Sequence, residues 1–203
     1  MVLCVEVVDV AFGERFSAFL DAGGYQARQR SDGKKEFYRF CNPTDEAFPY
    51  MIELFSRKPG TLKLPEGTVT APIPAEDDVL SLSAILLDDN YYRALQSAKR
   101  QIDGVTIADE TLLIPFKAKA FLNLTDEGKG DRPDTKKHRN DVFRLLQLLP
   151  GDAAIDLAAP IRDDLRRFTS VVEADASFDP RAFNVPLSRD DGLALLRSAY
   201  GLA

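Results

Sequence analysis

At 203 residues, 45% hydrophobic and 29% charged, the chain has the composition of an ordinary soluble globular protein with room for one domain or one and a half, which excludes a disordered tail. A net charge of -6 and an isoelectric point near 4.9 exclude a broad, non-specific grip on nucleic-acid phosphates, while leaving room for a metal-bridged nucleotide or a tRNA end on a local basic patch. No apolar run approaches the roughly 20 residues that cross a bilayer, and MVLCVEVVDV has no basic flank and is interrupted by Glu6 and Asp9, so no signal peptide is expected and a cytoplasmic location is the default. Cys4 and Cys41 form no C-x-x-C pair and read as small core residues.

In chain order, Val2 to Val8 is rich in β-branched residues and predicts a strand. Asp9 suits the N-cap of an amphipathic helix from Val10 to Ala22, with Phe12, Phe16, Phe19 and Leu20 on one face and Gly23-Gly24 as its stop. YQARQR and KEFYRF flank SDGK, and Asp32-Gly33 predicts a two-residue hairpin turn. Pro43 to Pro49 reads as a loop and Tyr50 to Phe55 as the next strand. Pro59, Pro65, Pro72 and Pro74 make Arg57 to Asp77 a loop with at most a short edge strand. LSLSAILL fits either a strand or the start of a buried helix, and periodicity does not decide between them.

Asp88 or Asp89 caps a predicted helix through Tyr92, Leu95 and Arg100, and VTIAD predicts a short strand. From Glu110 onward the pattern is helical: Leu112 to Leu124, Thr135 to Leu149, Pro160 to Ala174 with Pro at the helix start, and Arg189 to Tyr200 after Ser188. The expected class is α/β (α+β), a mixed sheet in residues 1–108 followed by a helical region in residues 109–203.

Three elements carry residues suited to chemistry. Within YMIELFSRKPG, Glu53 shares a strand face with Met51 and Phe55. A carboxylate between large apolar neighbours loses solvation, so it needs a cation, a metal or a cleft. Pairing with Arg39 or Arg57 across the sheet is the structural alternative. In LLIPFKAKAFLNL, Lys117 shares a helix face with Leu113, Ala120, Phe121 and Leu124, whereas Lys119 points away. A lysine there is either functional or a snorkelling stem with its ammonium at the rim. In KKHRNDVFRLLQLL, the sole histidine, His138, lies within the buried stripe of Val142, Leu145, Leu146 and Leu149. Asp141, at i+3 from His138, lies at its edge. A surface pair between Lys137 and Asp141 explains the charges equally well. P-loop, dinucleotide-fingerprint, zincin, nucleophile-elbow and zinc-type cysteine motifs are all missing.

Together, Ile52-Glu53-Leu54, Phe116-Lys117-Ala118-Lys119-Ala120-Phe121 and Lys137-His138-Arg139-Asn140-Asp141-Val142 resemble, in order and spacing, the nucleotidyltransferase-like proteins of the bacterial abortive-infection AbiEii toxin family. The resemblance implies a nucleotidyltransferase-like sheet, a nucleoside triphosphate substrate, an RNA acceptor, a cognate antitoxin partner and no membrane. It implies that Glu53 binds Mg2+, that Glu53, Lys117 and Asp141 are catalytic, and that Lys117, Lys137, His138 and Arg57 face the substrate. His138 stands where that family has the first aspartate of its Asp-x-x-Asp-Leu pattern. The chain departs from the family in lacking the Gly-Ser turn and the Asp-x-Asp strand. Either the motif is lost or the start codon is placed too far downstream, and one acid is not expected to hold the two ions that such transfer uses. The alternatives are an inactive remnant serving as a protein-binding module, and an unrelated α/β protein in which Glu53 and Lys117 form an ion pair.

Overall fold

The computed structural model describes residues 1–6, 9–29, 35–57, 70–72, 83–103 and 105–202, which divide into two compact units, Met1–Asp89 and Asn90–Ala203. The class is mixed α/β, with a six-stranded sheet in the first unit and most of the helix in the second. Among the described residues no helix is long and apolar enough to cross a membrane.

The first unit comprises β1 (Val2–Val5), α1 (Val10–Ala22), β2 (Gln26–Gln29), β3 (Lys35–Cys41), β4 (Met51–Arg57), β5 (Thr70–Pro72) and β6 (Ser83–Leu87). The central strand is β4. One edge pairs in parallel with β1, from Val2 opposite Glu53 to Val5 opposite Ser56. The other edge takes β3 antiparallel, with Arg39 opposite Glu53, and then β6 in parallel, with Phe55 opposite Ile85. Outside these lie β2 and β5. The alternation of β4 sets its two faces: Ile52, Leu54 and Ser56 are buried, while Met51, Glu53, Phe55 and Arg57 are half-buried. Phe16 and Leu20 of α1 join Phe40, Ile52 and Leu54 in one buried cluster, each such side chain contributing about 1.5–3 kcal/mol.

Helix α1 matches the sequence reading at both ends. Its N-cap Asp9 accepts a hydrogen bond from the Phe12 amide at 2.8 Å, satisfying a donor that the helix itself leaves open. Its stop uses Gly24 at φ +62, where a side chain would be strained and a Cβ would meet the Thr44 hydroxyl oxygen at 2.6 Å. Phe19 is an exception to the expected buried face: it is 36% exposed, stacking on Tyr25 and meeting Phe48 at a tilt. Val7, Val8 and the Asp32-Gly33 turn lie outside the described residues, as does most of the Arg57–Asp77 loop. The part of that loop that is described, β5, is an edge strand carrying Pro72, where a missing N–H is tolerated. Of the ambiguous LSLSAILL, the described part, Ser83–Leu87, is the strand β6. Cys4 and Cys41 are both half-buried.

Helix α2 (Asp89–Ser97) leads into a two-stranded hairpin, β7 (Lys99–Ile102) and β8 (Val105–Ala108). The predicted helix through Arg100 therefore ends three residues early. Asp103 adopts φ +51 at the turn, a left-handed conformation that Asp tolerates and that an Asp-Gly hairpin needs. Then come α3 (Glu110–Asp126), α4 (Pro133–Leu146), α5 (Ala159–Ala174), a 3-10 turn (Pro180–Phe183) and α6 (Arg189–Tyr200). The core of this unit draws Ile114, Ala118 and Leu122 from α3, Val142, Phe143 and Leu146 from α4, Leu165 and Phe168 from α5, and Leu193, Leu196 and Tyr200 from α6.

One detail ties the last helix to the first of these four. Pro115 sits inside α3 and is buried, so the carbonyl of Thr111, four residues back, has no helical N–H to accept. The phenol of Tyr200, itself 1% exposed, donates to that carbonyl at 2.8 Å. Burial pushes the Tyr200 phenol well above its ordinary value, so it stays protonated and able to donate. Tyr200→Phe is expected to cost about 1–3 kcal/mol, the usual penalty for a polar group left without its partner. In a Pro115→Ala background, where the helical N–H returns, the same substitution should cost distinctly less. Urea unfolding of the four proteins measures both numbers, and equal costs in the two backgrounds would refute the link.

Candidate functional site

The residues singled out by sequence fall into both units. In the sheet unit, Glu53 lies directly opposite Arg39 across the β3–β4 ladder, and its carboxylate accepts from the Arg39 guanidinium. Both side chains are about three-quarters or more buried. Of the two cross-sheet partners open to Glu53, Arg39 is the one realised. Arg57 instead makes a two-pronged contact with Asp89, Nε to Oδ1 at 2.7 Å and Nη2 to Oδ2 at 3.1 Å, and reaches Glu6 at 3.3 Å. The Asp89 hydrogen bond and charge hold the Arg57 guanidinium above its ordinary value.

The helical unit brings Lys117 and Asp141 together. Lys117 Nζ donates to Asp141 Oδ2 at 2.8 Å, and Arg144, one turn further along α4, donates to Oδ1 at 3.1 Å. A Glu53–Lys117 ion pair is therefore corrected: each residue has its partner inside its own unit. The placement of Lys117 is also corrected. The buried stripe of α3 runs through Leu112, Pro115, Ala118, Phe121 and Leu122, so Lys117 flanks it instead of lying in it. Lys119, expected to point away, occupies the other flank: its ammonium meets Asp164 of α5 at 2.8 Å, and the buried Tyr91 donates to the same carboxylate at 3.1 Å. Asp164 and Tyr91 were missed. The available cue was two lysines two residues apart inside an apolar run, which on a helix must face two different neighbours. Arg144, also missed, was legible as the i+3 partner of Asp141.

His138 sits beside this pair on α4, half-buried, and its Nδ1 is buried with no hydrogen-bond partner among the described residues. Burial lowers its basicity, the Lys117 ammonium lowers it further, and Asp141 partly opposes both. Lys137 is exposed. For Asp141, burial pushes the carboxyl up, but the Lys117 hydrogen bond and charge, with Arg144 and Lys137, outweigh it and hold the group below its ordinary value. Chemically this is an ammonium oriented by a fixed carboxylate, with Lys137 and Arg144 as further cations, an arrangement suited to meeting a phosphate.

The magnesium implied at Glu53 does not fit the residues there. The carboxylate is engaged by Arg39, and among the described residues no three His, Cys, Asp or Glu side chains converge closely enough to hold a metal ion. Two cavities open in the helical unit, one of about 340 Å³ and one of about 430 Å³. Neither is lined by Lys117, His138 or Asp141.

Two measurements test these electrostatics. As the only histidine, His138 gives a single imidazole proton titration by NMR, with a midpoint expected below the ordinary 6.5. Lys117→Met should raise that midpoint and Asp141→Asn should lower it. A group depressed in the folded state adds stability that is present above its unfolded pKa and is lost as pH falls through the folded one. For Asp141, the stability gap between the wild type and Asp141→Asn is therefore expected to be full at neutral pH and to shrink below about pH 4. A gap that does not change with pH would remove the pair from the account.

No protein-family model, no curated protein and no solved structure matches the chain.

Proposed function

We propose that the chain is a nucleotidyltransferase-fold protein of the AbiEii toxin type, and that its helical unit meets the phosphates of a nucleoside triphosphate through Lys117. The observation carrying this reading is the 2.8 Å contact between Lys117 and Asp141, two residues 24 positions apart that the resemblance selects independently. Asp141 orients the ammonium, and Lys137 and Arg144 add positive charge beside it. The neighbouring His138 has its imidazole kept largely neutral near pH 7 by burial and by Lys117, which suits it to exchange a proton with an acceptor hydroxyl.

A second reading, an inactive remnant that binds a protein partner such as a cognate antitoxin, is favoured by the engagement of Glu53 with Arg39. That contact fills the one acid from which a metal-dependent transfer would start.

Calorimetric titration with ATP, GTP, CTP and UTP, each with and without Mg2+, tests the first reading. Saturable binding of at least one nucleotide is expected, weakened on the order of tenfold by Lys117→Met, the loss of one charge-assisted hydrogen bond. No binding of any of the four would sink it. Incubation with α-labelled nucleotide and RNA then separates the readings. Label transfer that Lys117→Met abolishes supports the enzyme, and binding without transfer supports the module.

A further inference from the structure

We propose that β8 is a dimerisation edge, pairing antiparallel with the β8 of a second copy of the chain about a two-fold axis at Ile107. This inference is independent of the nucleotide reading.

The hairpin of β7 and β8 is a sheet of its own, and among the described residues β8 pairs with β7 alone. Two strands by themselves are marginal in water, and a further neighbour stabilises them. Every side chain of β7 is exposed, Thr106 of β8 is exposed, and Ile102 and Ile107 are 54% and 38% exposed. Ile107 lies opposite Arg100, and Ile102 is two residues along β7 from Arg100, so both isoleucines share one face.

The register decides which backbone groups are open to a partner. The hairpin closes on Ile102 opposite Val105, and in an antiparallel ladder every second residue turns its N–H and C=O away from the paired strand. On β8 those residues are Thr106 and Ala108. On β7 they are Lys99 and Gln101.

Charge decides between the two edges, because proteins commonly guard an open edge with charged residues or proline. If β7 met a second β7 through its outward groups, Arg100 would lie opposite Arg100 of the second copy, about 4.5 Å apart at Cα, where like charges repel. The sequence of β8, Val-Thr-Ile-Ala, contains neither charge nor proline. Paired on itself, β8 sets Thr106 opposite Ala108 of the second copy, and Ala108 opposite its Thr106, each pair exchanging two backbone hydrogen bonds. Between them Ile107 meets Ile107 of the second copy at the close spacing that favours β-branched contacts. The two Arg100 residues then lie three strand spacings apart, about 14 Å, and each is already neutralised by Asp109 at 2.8 Å. The resulting four-stranded sheet ends on both sides in β7, whose Lys99 and Arg100 guard the edge, so association closes at two copies.

Four backbone hydrogen bonds and one isoleucine pair make a contact well below the roughly 1,200 Å² of a stable interface, so a dissociation constant on the order of 100 μM is expected. Sedimentation velocity of the whole chain between about 10 μM and about 1 mM should show the mean mass climbing from the 22.5 kDa of one chain toward twice that. Over the same range, amide exchange followed by NMR should slow several-fold at Thr106 and Ala108 and stay unchanged at Val105 and Ile107, whose backbone groups face β7. Ile107→Lys and Ile107→Asp each put like charges across the axis, so each alone should remain a monomer. An equimolar mixture of the two should associate again. A wild type that stays monomeric throughout, slowing at Lys99 and Gln101 in place of Thr106 and Ala108, a dimer that survives Ile107→Lys, or a mixture that does not associate would each overturn the proposal. The exchange measurement on the wild type stands even if a variant fails to fold.

Discussion

The helical unit depends on a helix that is interrupted by its own proline. With Pro115 buried inside α3, one carbonyl of the first turns has no helical donor, and a bare carbonyl in that position opposes folding by an amount comparable to a lost hydrogen bond. Tyr200 supplies the missing donor from the last turn of α6, so the two helices must meet in one register. The same constraint explains why Tyr200 is among the largest fully buried side chains: its ring fills the core and its hydroxyl has a fixed address. A phenylalanine there would fill the space and lose the address.

Around that anchored helix the charges are arranged on the flanks of the buried stripe. Lys117 faces α4 through Asp141, and Lys119 faces α5 through Asp164. Each pair is half-buried, so desolvation is partial and the Coulombic attraction is less screened than at an open surface. Their main effect is on orientation. Two cations two residues apart point to opposite sides of a helix and meet acids on two different neighbours, which fixes the rotation of α3 about its axis. A lysine held by a fixed carboxylate is thus both a packing marker and an oriented charge.

Where several local cues agreed, the fold was legible in the residues. Helix α1 has a capping aspartate, an apolar period and a double-glycine stop, and α6 has a capping Ser188 that accepts from the Asp191 amide at 3.1 Å. Legibility failed where one cue was read alone. Periodicity ran α2 on to Arg100, although the Asp103-Gly104 pair between Ile102 and Val105 carries the same hairpin cue noticed at Asp32-Gly33. The candidate site was half legible. Helical spacing put Lys117 with the apolar stripe of one helix and Asp141 at the edge of the stripe of the next, but which flank each residue takes and which partner it meets are set by how α4 and α5 pack on α3, and that depends on contacts distant in sequence. The cavity of about 430 Å³, lined by Phe121, Arg139, Val172 and Ser177 among others, was not legible at all, since its walls come from α3, α4, α5 and the segment after α5.

The odd carboxylate of the central strand sits in a sequence pattern that two incompatible chemistries share. On β4, Glu53 is flanked by the half-buried Met51 and Phe55 and lies opposite Arg39. A directly opposed cation in an antiparallel pair is the cheapest neutralisation that a sheet offers, because the ladder itself brings the two side chains together. A metal asks for more: several acids converging on one point, each giving up hydration, with the ion's double charge compensating the repulsion among them. An acid engaged by an arginine, with no converging set of ligands around it among the described residues, meets the first requirement and not the second. The strand pattern of hydrophobic, acid, hydrophobic is common to both solutions, so the pattern alone selects neither. What separates them is the residue across the ladder, and in this protein that residue is Arg39.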